Sequence, residues 1–287
     1  MPSLIDIRRR IRSVKNTQQI TKAMKMVSAA KLRRAQDRVI AARPYAQIMQ
    51  RMLTNVALAA SEDPDTADNP LLARREEKRV LLLVITADRG LAGAFNTNVI
   101  KAAQKFIADR REAELELELM GRKGRDFFRK RAIKVAGEYA GLFQKVVRYE
   151  EALEIARKVI ERFRNAEVDA VYMVLNQFKT VMASDLVVSR LLPIELPESQ
   201  ERIDYIYEQP PAEILSALLP RYIEVQIYRA MLESAAAEHA ARMTAMDAAS
   251  SNAADVIDRL TLNMNRVRQA SITKEIIEIV SGAAALE

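Results

Sequence analysis

Apolar positions near the start of the chain recur at alternating intervals of four and three: Ile7, Ile11, Val14, then Leu32, Ala35, Val39, Ala42, Ala46, Met49, Leu53 and Val56. This is the spacing of a coiled-coil seam, in which a repeat of about 3.5 residues keeps one helix face turned to a partner. Between the two apolar stretches the same register falls on Gln18, Thr21, Lys25 and Ser28. Here Ile20, Met24 and Val27 form a second apolar stripe on a neighbouring face. Two such faces are expected where a helix has partners on more than one side. No proline lies between Pro2 and Pro44, and no glycine precedes Gly90, so 41 uninterrupted residues predict ~60 Å of helix.

The C-terminal end mirrors this pattern. Pro220 is the last proline and Gly282 the only glycine after Gly141, so residues 221–281 predict a second helix of ~90 Å. Its seam reads Leu218, Tyr222, Val225, Arg229, Leu232, Ala236, then Met243, Met246, Ala249, Ala253, Val256, Leu260, Met264 and Val267. Small residues dominate from Ala235 to Ala254 and permit close approach of helices. Neither helix buries its stripe alone. Pairing of the two ends is the economical solution, and dimerisation of two chains through each end is the alternative.

Between the helices the period changes. Residues 61–75 are polar and carry Pro64 and Pro70, as a linker does. Arg79 to Thr86 reads as a buried strand, and Ala87 to Gly93 as a loop into a helix from about Phe95 to Arg111. Leu115 to Met120 alternates as a strand, and Gly121 opens a short helix to about Arg131. A strand near Ile133–Val135, a helix over Tyr149–Arg164, and strands over Ala170–Asn176 and Thr180–Leu191 follow. Alternating strands and helices predict an open, Rossmann-like α/β sheet covered on both faces. The predicted plan is an N-terminal coiled-coil helix over 1–60, a linker over 61–75, an α/β domain over 76–205 and a C-terminal coiled-coil helix over 206–287.

Composition agrees with this plan. Trp is absent and rings are scarce, which suits helix-on-helix packing. There is no Cys and a single His, His239, so thiolate chemistry is excluded and His-based metal or acid/base systems nearly so. No secretory or transit segment is recognisable at the start, and no apolar run reaches the ~18 residues that cross a bilayer. The charge is uneven. Residues 1–60 hold 13 Lys/Arg against two acids, Asp6 and Asp37, for +11; the remaining 227, with 32 bases and 36 acids, carry −4. One helix therefore holds the basic excess and seeks an acidic partner: nucleic acid, an anionic membrane or acidic protein surfaces.

Catalytic signals are weak. The loop from Thr86 to Asn96 sits where α/β folds bind nucleotides, but lacks both the G-x-G-x-x-G pattern and the G-K-[ST] ending of a phosphate loop. Gly121 and Gly124 are equally incomplete, and tight strand-to-helix turns account for both. Carboxylate pairs such as Glu275 and Glu278 lie on helix faces without a His partner, so acid/base catalysis is unsupported. No catalytic, cofactor or metal residues are assigned. A basic helix over residues 8–38 can track phosphates, which keeps a nucleic-acid-binding coiled coil as the alternative function. No aromatic precedes Tyr45, so base stacking is not available to it.

Three stretches resemble one family. The run from Ile7 to Val27 (IRRRIRSVKNTQQITKAMKMV) is similar to the opening helix of the γ subunit of F-type ATP synthase. The run from Arg268 to Ala285 (RQASITKEIIEIVSGAAA) is similar to that family's C-terminal signature. Thr86 to Gly93 (TADRGLAG) also fits, with Ala92 where many members have Cys. The resemblance implies a non-catalytic central rotor stalk, present in one copy. Its coiled coil stands inside a ring of α and β subunits, and its foot sits on the c-subunit ring beside the ε subunit. It implies contacts with the α/β ring through Lys22, Met24, Lys25, Arg242, Arg268, Gln269, Thr273 and Glu275. Contacts with the c ring and ε are implied for Tyr205, Tyr207 and Glu208. It implies no cofactor, no nucleic acid and no direct membrane insertion. With no Cys the chain lacks the thiol switch of photosynthetic plant members. A bacterial protein, peripheral on the cytoplasmic face of the cell membrane, is the implied setting.

Overall fold

The computed structural model describes residues 3–60, 69–195 and 207–284. They fall into two compact units, residues 1–29 with 242–287, and residues 30–241. Two long helices enter both units: α1 (Leu4–Ala59) and α5 (Pro211–Ala284). The elements between them are β1 (Arg79–Ile85), α2 (Phe95–Asp109), β2 (Glu114–Met120), α3 (Arg122–Phe128), β3 (Lys134–Tyr139), α4 (Tyr149–Arg164), β4 (Ala170–Phe178) and β5 (Ser184–Leu192).

Within residues 30–241 the sheet runs β3-β2-β1-β4-β5, with parallel pairs except for the antiparallel β4–β5 edge. β1 is central and its residues Val80 to Ile85 are all buried, as a strand covered on both faces requires. Val80, Leu82 and Val84 share one face with Leu117, Leu119, Tyr172 and Val174. They pack on Val99, Ala103 and Phe106 of α2 and Phe128 of α3. The opposite face carries Leu81 and Leu83, in register with Glu116 and Glu118 of β2 and with Val171 and Met173 of β4. Arg162 of α4 reaches Glu116 at 2.6 Å, which sets α4 on that face. Further along it, Gln226, Arg229, Ala230 and Glu233 of α5 enclose a cavity of about 160 Å³ with Met173 and Leu175.

The predicted α/β sheet and long terminal helices are present, the sheet being mixed through its antiparallel β4–β5 edge, with two local differences in the elements. The final helix begins at Pro211 and runs through Pro220, where the sequence predicts a start after that proline. A helix-interior proline costs ~3 kcal/mol. Leu215, Leu219 and Ile223 are at most 1% exposed along one stripe across it. Burial of each contributes ~1.5–3 kcal/mol, so packing wins. α1 likewise crosses Pro44, as the expected helix over 1–60 and its seam require, with Val39, Ala46 and Met49 buried around it. The last strand begins at Ser184 rather than Thr180, because the Ala183 amide turns back to the Thr180 carbonyl at 3.3 Å.

Candidate interaction surfaces

The mouth of the sheet, where nucleotides bind in related architectures, is closed by the chain's own side chains. Asp88 follows β1 and is 4% exposed. Its Oδ1 accepts the Arg122 amide at 3.0 Å and the Gly141 amide at 2.8 Å, and its Oδ2 accepts the Phe143 amide at 2.8 Å. Thr86 Oγ1 accepts the Gly124 amide at 2.8 Å, and Asn96 Oδ1 accepts the Ala87 amide at 2.9 Å. Gly121 has φ 99°, and a Cβ there would stand 2.1 Å from the Thr86 carbonyl oxygen. Backbone amides at such a mouth ordinarily attract a phosphate. Here a resident carboxylate and hydroxyl take them, so the loop from Thr86 to Asn96 ties strand ends together.

In the unit formed by residues 1–29 and 242–287 the two long helices face one another. Gln18 Nε2 donates to the Ser250 carbonyl at 3.3 Å, Thr21 and Ser250 hydroxyls meet at 2.6 Å, and Lys25 Nζ lies 2.6 Å from Asp247. Rising numbers on α1 meet falling numbers on α5, so the pairing is antiparallel. Thr21 and Ser28 are buried, and Gln18 and Lys25 half-buried. The polar stretch of the seam therefore faces the partner helix and is bonded to it.

Two apolar surfaces of this unit have no cover from the described residues. The first is the neighbouring stripe on α1, where Ile20 is 60% and Val27 57% exposed, with Met24 half-buried between them. Lys22 projects beside it, exposed and without a carboxylate partner among the described residues. The second is the end of α5, where Ile272, Ile276, Ile277, Ile279 and Val280 are all exposed. At 100° per residue they occupy an arc of about 160°. Lone surface leucines or isoleucines need no explanation, but five on one arc mark an interaction face.

The sequence-derived contact residues divide by environment. Lys22, Arg268, Gln269, Thr273 and Glu275 are exposed. Lys25 is engaged by Asp247, and Glu275 accepts from Ser271 at 3.2 Å. Arg242 is 8% exposed and so has little surface to offer a partner. Tyr207 is half-buried and Glu208 exposed, whereas Tyr205 lies outside the described residues. The exposed isoleucines of α5 are not among the sequence-derived contact residues; their spacing at 272, 276 and 279 is the signal for the arc.

A family model described as ATP synthase matches residues 3–286. The chain is 67% identical over 287 residues to the ATP synthase gamma chain of Solibacter usitatus, covering all of both proteins. It is 54% identical over 290 residues to the ATP synthase gamma chain of Pelotomaculum thermopropionicum, again over the full length of both. Among solved structures it is similar to a chain of the central stalk and c-ring of the Tetrahymena thermophila mitochondrial ATP synthase. That match has a TM-score of 0.62 and 26% identity, over 80% of this chain and 99% of the other. It shares its fold with a chain of the Euglena gracilis mitochondrial ATP synthase, with a TM-score of 0.66 and 18% identity over 99% and 94% of the two.

Proposed function

The chain belongs to the ATP synthase gamma-chain family, and from that premise we propose that it works as the turning, non-catalytic shaft of a bacterial F-type enzyme. The carrying observation is the uncovered apolar arc at the end of α5, on a helix whose neighbouring stretch is paired with α1. Such an arc is tolerated when a sleeve of partner subunits surrounds it. Apolar contact is non-directional, so a greasy helix end can turn in its sleeve without breaking a fixed set of hydrogen bonds.

The proposed sleeve is the ring of α and β subunits, met by Arg268, Gln269, Thr273 and Glu275 near the end of α5 and by Met24 and Lys22 on α1. Lys25 and Arg242 act chiefly within the shaft, since one is paired and the other buried. Exposed ion pairs contribute only about 0–1 kcal/mol. That weakness suits a contact between Lys22 and an acidic β-subunit loop, which has to form and break in each revolution. Rotor angles that differed by several kcal/mol would trap the shaft in one position. The proposed neighbours at the foot are the c ring and the ε subunit, near Tyr205, Tyr207 and Glu208. The setting is the cytoplasmic face of the membrane; among the described residues no helix is long and apolar enough to cross it. The nucleic-acid-binding alternative has no support from the family or from the solved structures.

Reconstitution tests this reading. Purified chain is expected to hydrolyse no ATP by itself, to co-purify with α and β in a three-to-three-to-one assembly, and to restore coupled hydrolysis there. ATP turnover by the chain alone would overturn the non-catalytic assignment.

A further inference from the structure

Within residues 30–241 a cavity of about 190 Å³ lies between α1, the segment before α4, and α5. Its apolar side is formed by Phe143, Val147, Leu232 and Ala235, each at most 9% exposed. Its rim carries Lys31, Arg34 and Arg38 of α1 and Lys145 of the facing segment. No acidic residue lines it, and the one acid on that stretch of α1, Asp37, is not part of the wall. Among the described residues none of the four cations has a carboxylate partner. Elsewhere in this unit Arg79 pairs with Asp169 and Arg162 with Glu116, whereas Arg33, Arg43 and Arg51 of α1 also have no carboxylate partner among the described residues.

We propose that this cavity binds a small amphipathic anion, with a carboxylate or phosphate head at the Lys31–Arg34–Arg38–Lys145 rim and a compact apolar body against Leu232 and Ala235. An apolar cavity of about 150 Å³ accepts benzene, so the available space takes a ring or a short alkyl chain. Hydrogen bonds from lysine and arginine to an anionic oxygen are about twice as strong as neutral ones. The two halves of the site thus select an amphiphile over a plain anion or a plain hydrocarbon. This inference stands apart from the rotor reading, because it concerns a ligand rather than a subunit contact.

The test is calorimetric titration of the full-length purified chain at low ionic strength. Octanoate and octyl phosphate probe the two heads, with acetate and 1-octanol as controls. Either amphiphilic anion is expected to bind at least roughly tenfold more tightly than both controls, and to weaken as salt is raised. Val146 is 51% exposed at the cavity, so Val146→Asp adds a negative charge there without disturbing the core. That change, and separately the triple change Lys31→Ala/Arg34→Ala/Arg38→Ala, is expected to weaken binding at least roughly tenfold. Arg43→Ala/Arg51→Ala removes charge from α1 outside the cavity and is expected to leave affinity unchanged. Thermal melting of each variant verifies that it is folded. Three results would overturn the site: binding unaffected by Val146→Asp, acetate binding as tightly as octanoate, or equal losses in the two sets of alanine variants. Each would reduce the observation to an adventitious ion gathered by a basic helix.

Discussion

At the scale of single residues, the polar groups of the α/β unit behave as structural fasteners. Asp88 accepts three backbone amides from segments far apart in sequence, so its loss leaves three donors short of partners. Asp88→Ala is expected to lower the unfolding free energy by about 3 kcal/mol, since each buried unsatisfied group costs ~1–3 kcal/mol and water recovers part. Asp88→Asn should cost less, because one side-chain oxygen remains to accept; urea denaturation followed by circular dichroism measures both. Two neighbouring acids beneath α4 titrate in opposite senses. Burial raises Glu118 above the usual carboxylate range, and its Oε2 has no hydrogen-bond partner. Burial also opposes ionisation of Glu116, but there the hydrogen bonds and charges of Lys134 and Arg162 prevail and hold it below that range. A raised folded-state pKa contributes stability at pH below the ordinary glutamate value and loses it as pH rises through the folded one. The depressed Glu116 contributes above the ordinary value and loses that contribution as pH falls through its folded pKa. Glu118→Gln is therefore expected to stabilise the protein at neutral pH, with the gain vanishing in acid, whereas Glu116→Gln destabilises at neutral pH. Stability curves of both variants between acid and neutral pH check the two signs, and parallel curves for wild type and Glu118→Gln would refute the first.

At the scale of elements, the polar stretch of the seam is a bonded part of the helix pair. The Thr21 and Ser250 hydroxyls meet at 2.6 Å, and each also lies near a carbonyl of its own helix, Gln18 at 3.0 Å and Met246 at 2.8 Å. Two protons cannot serve all three contacts. One hydroxyl donates across the interface while the other donates to its own helix, and the direction can reverse. After Thr21→Val, Ser250 still reaches Met246; after Ser250→Ala, Thr21 still reaches Gln18. Each single change is expected to cost about 1 kcal/mol and the double change scarcely more, a coupling of about 1 kcal/mol in a double-mutant cycle. Additive losses would show that the contact contributes nothing. The four-three register was fully legible here: every position from Ile7 to Val56 in that count is buried or half-buried, Gln18, Thr21, Lys25 and Ser28 included. On α5 the count holds with one exception. Val256 falls on the predicted seam yet is 40% exposed, while Ile257 is half-buried; Leu260, Met264 and Val267 beyond it are again half-buried. The helix through Pro220 was not legible, since local rules price the proline but not the burial around it. Asp88 was hidden for another reason: its partners at Arg122, Gly141 and Phe143 are brought near only by the sheet.

At the scale of the whole molecule, the chain's stability and its working surface are separable. The last turns of α5 contribute apolar side chains to nothing else among the described residues: from Ile272 to Ser281 every position is exposed. A truncation ending at Arg268 is therefore expected to leave the melting temperature of the isolated chain unchanged. In an assembly with α and β subunits the same residues are proposed to be covered, and burial of each large aliphatic side chain contributes ~1.5–3 kcal/mol. Loss of five such side chains should weaken retention of the chain in the complex and lower ATP-driven torque, with catalysis in the ring persisting to a larger degree than coupling. Polar substitution gives the sharper comparison. Ile276→Ser/Ile279→Ser keeps the helix length and removes only apolar contact, so it should reproduce most of the truncation's effect on retention if the arc turns in an apolar sleeve. Gel filtration of the assembled complex, alongside melting of the free chain, separates the two quantities. If the serine variant is retained like wild type while the truncation is not, helix length rather than the apolar arc holds the shaft in place, and the sleeve contact would have to be reassigned to the polar residues that the truncation removes, Gln269, Thr273 and Glu275.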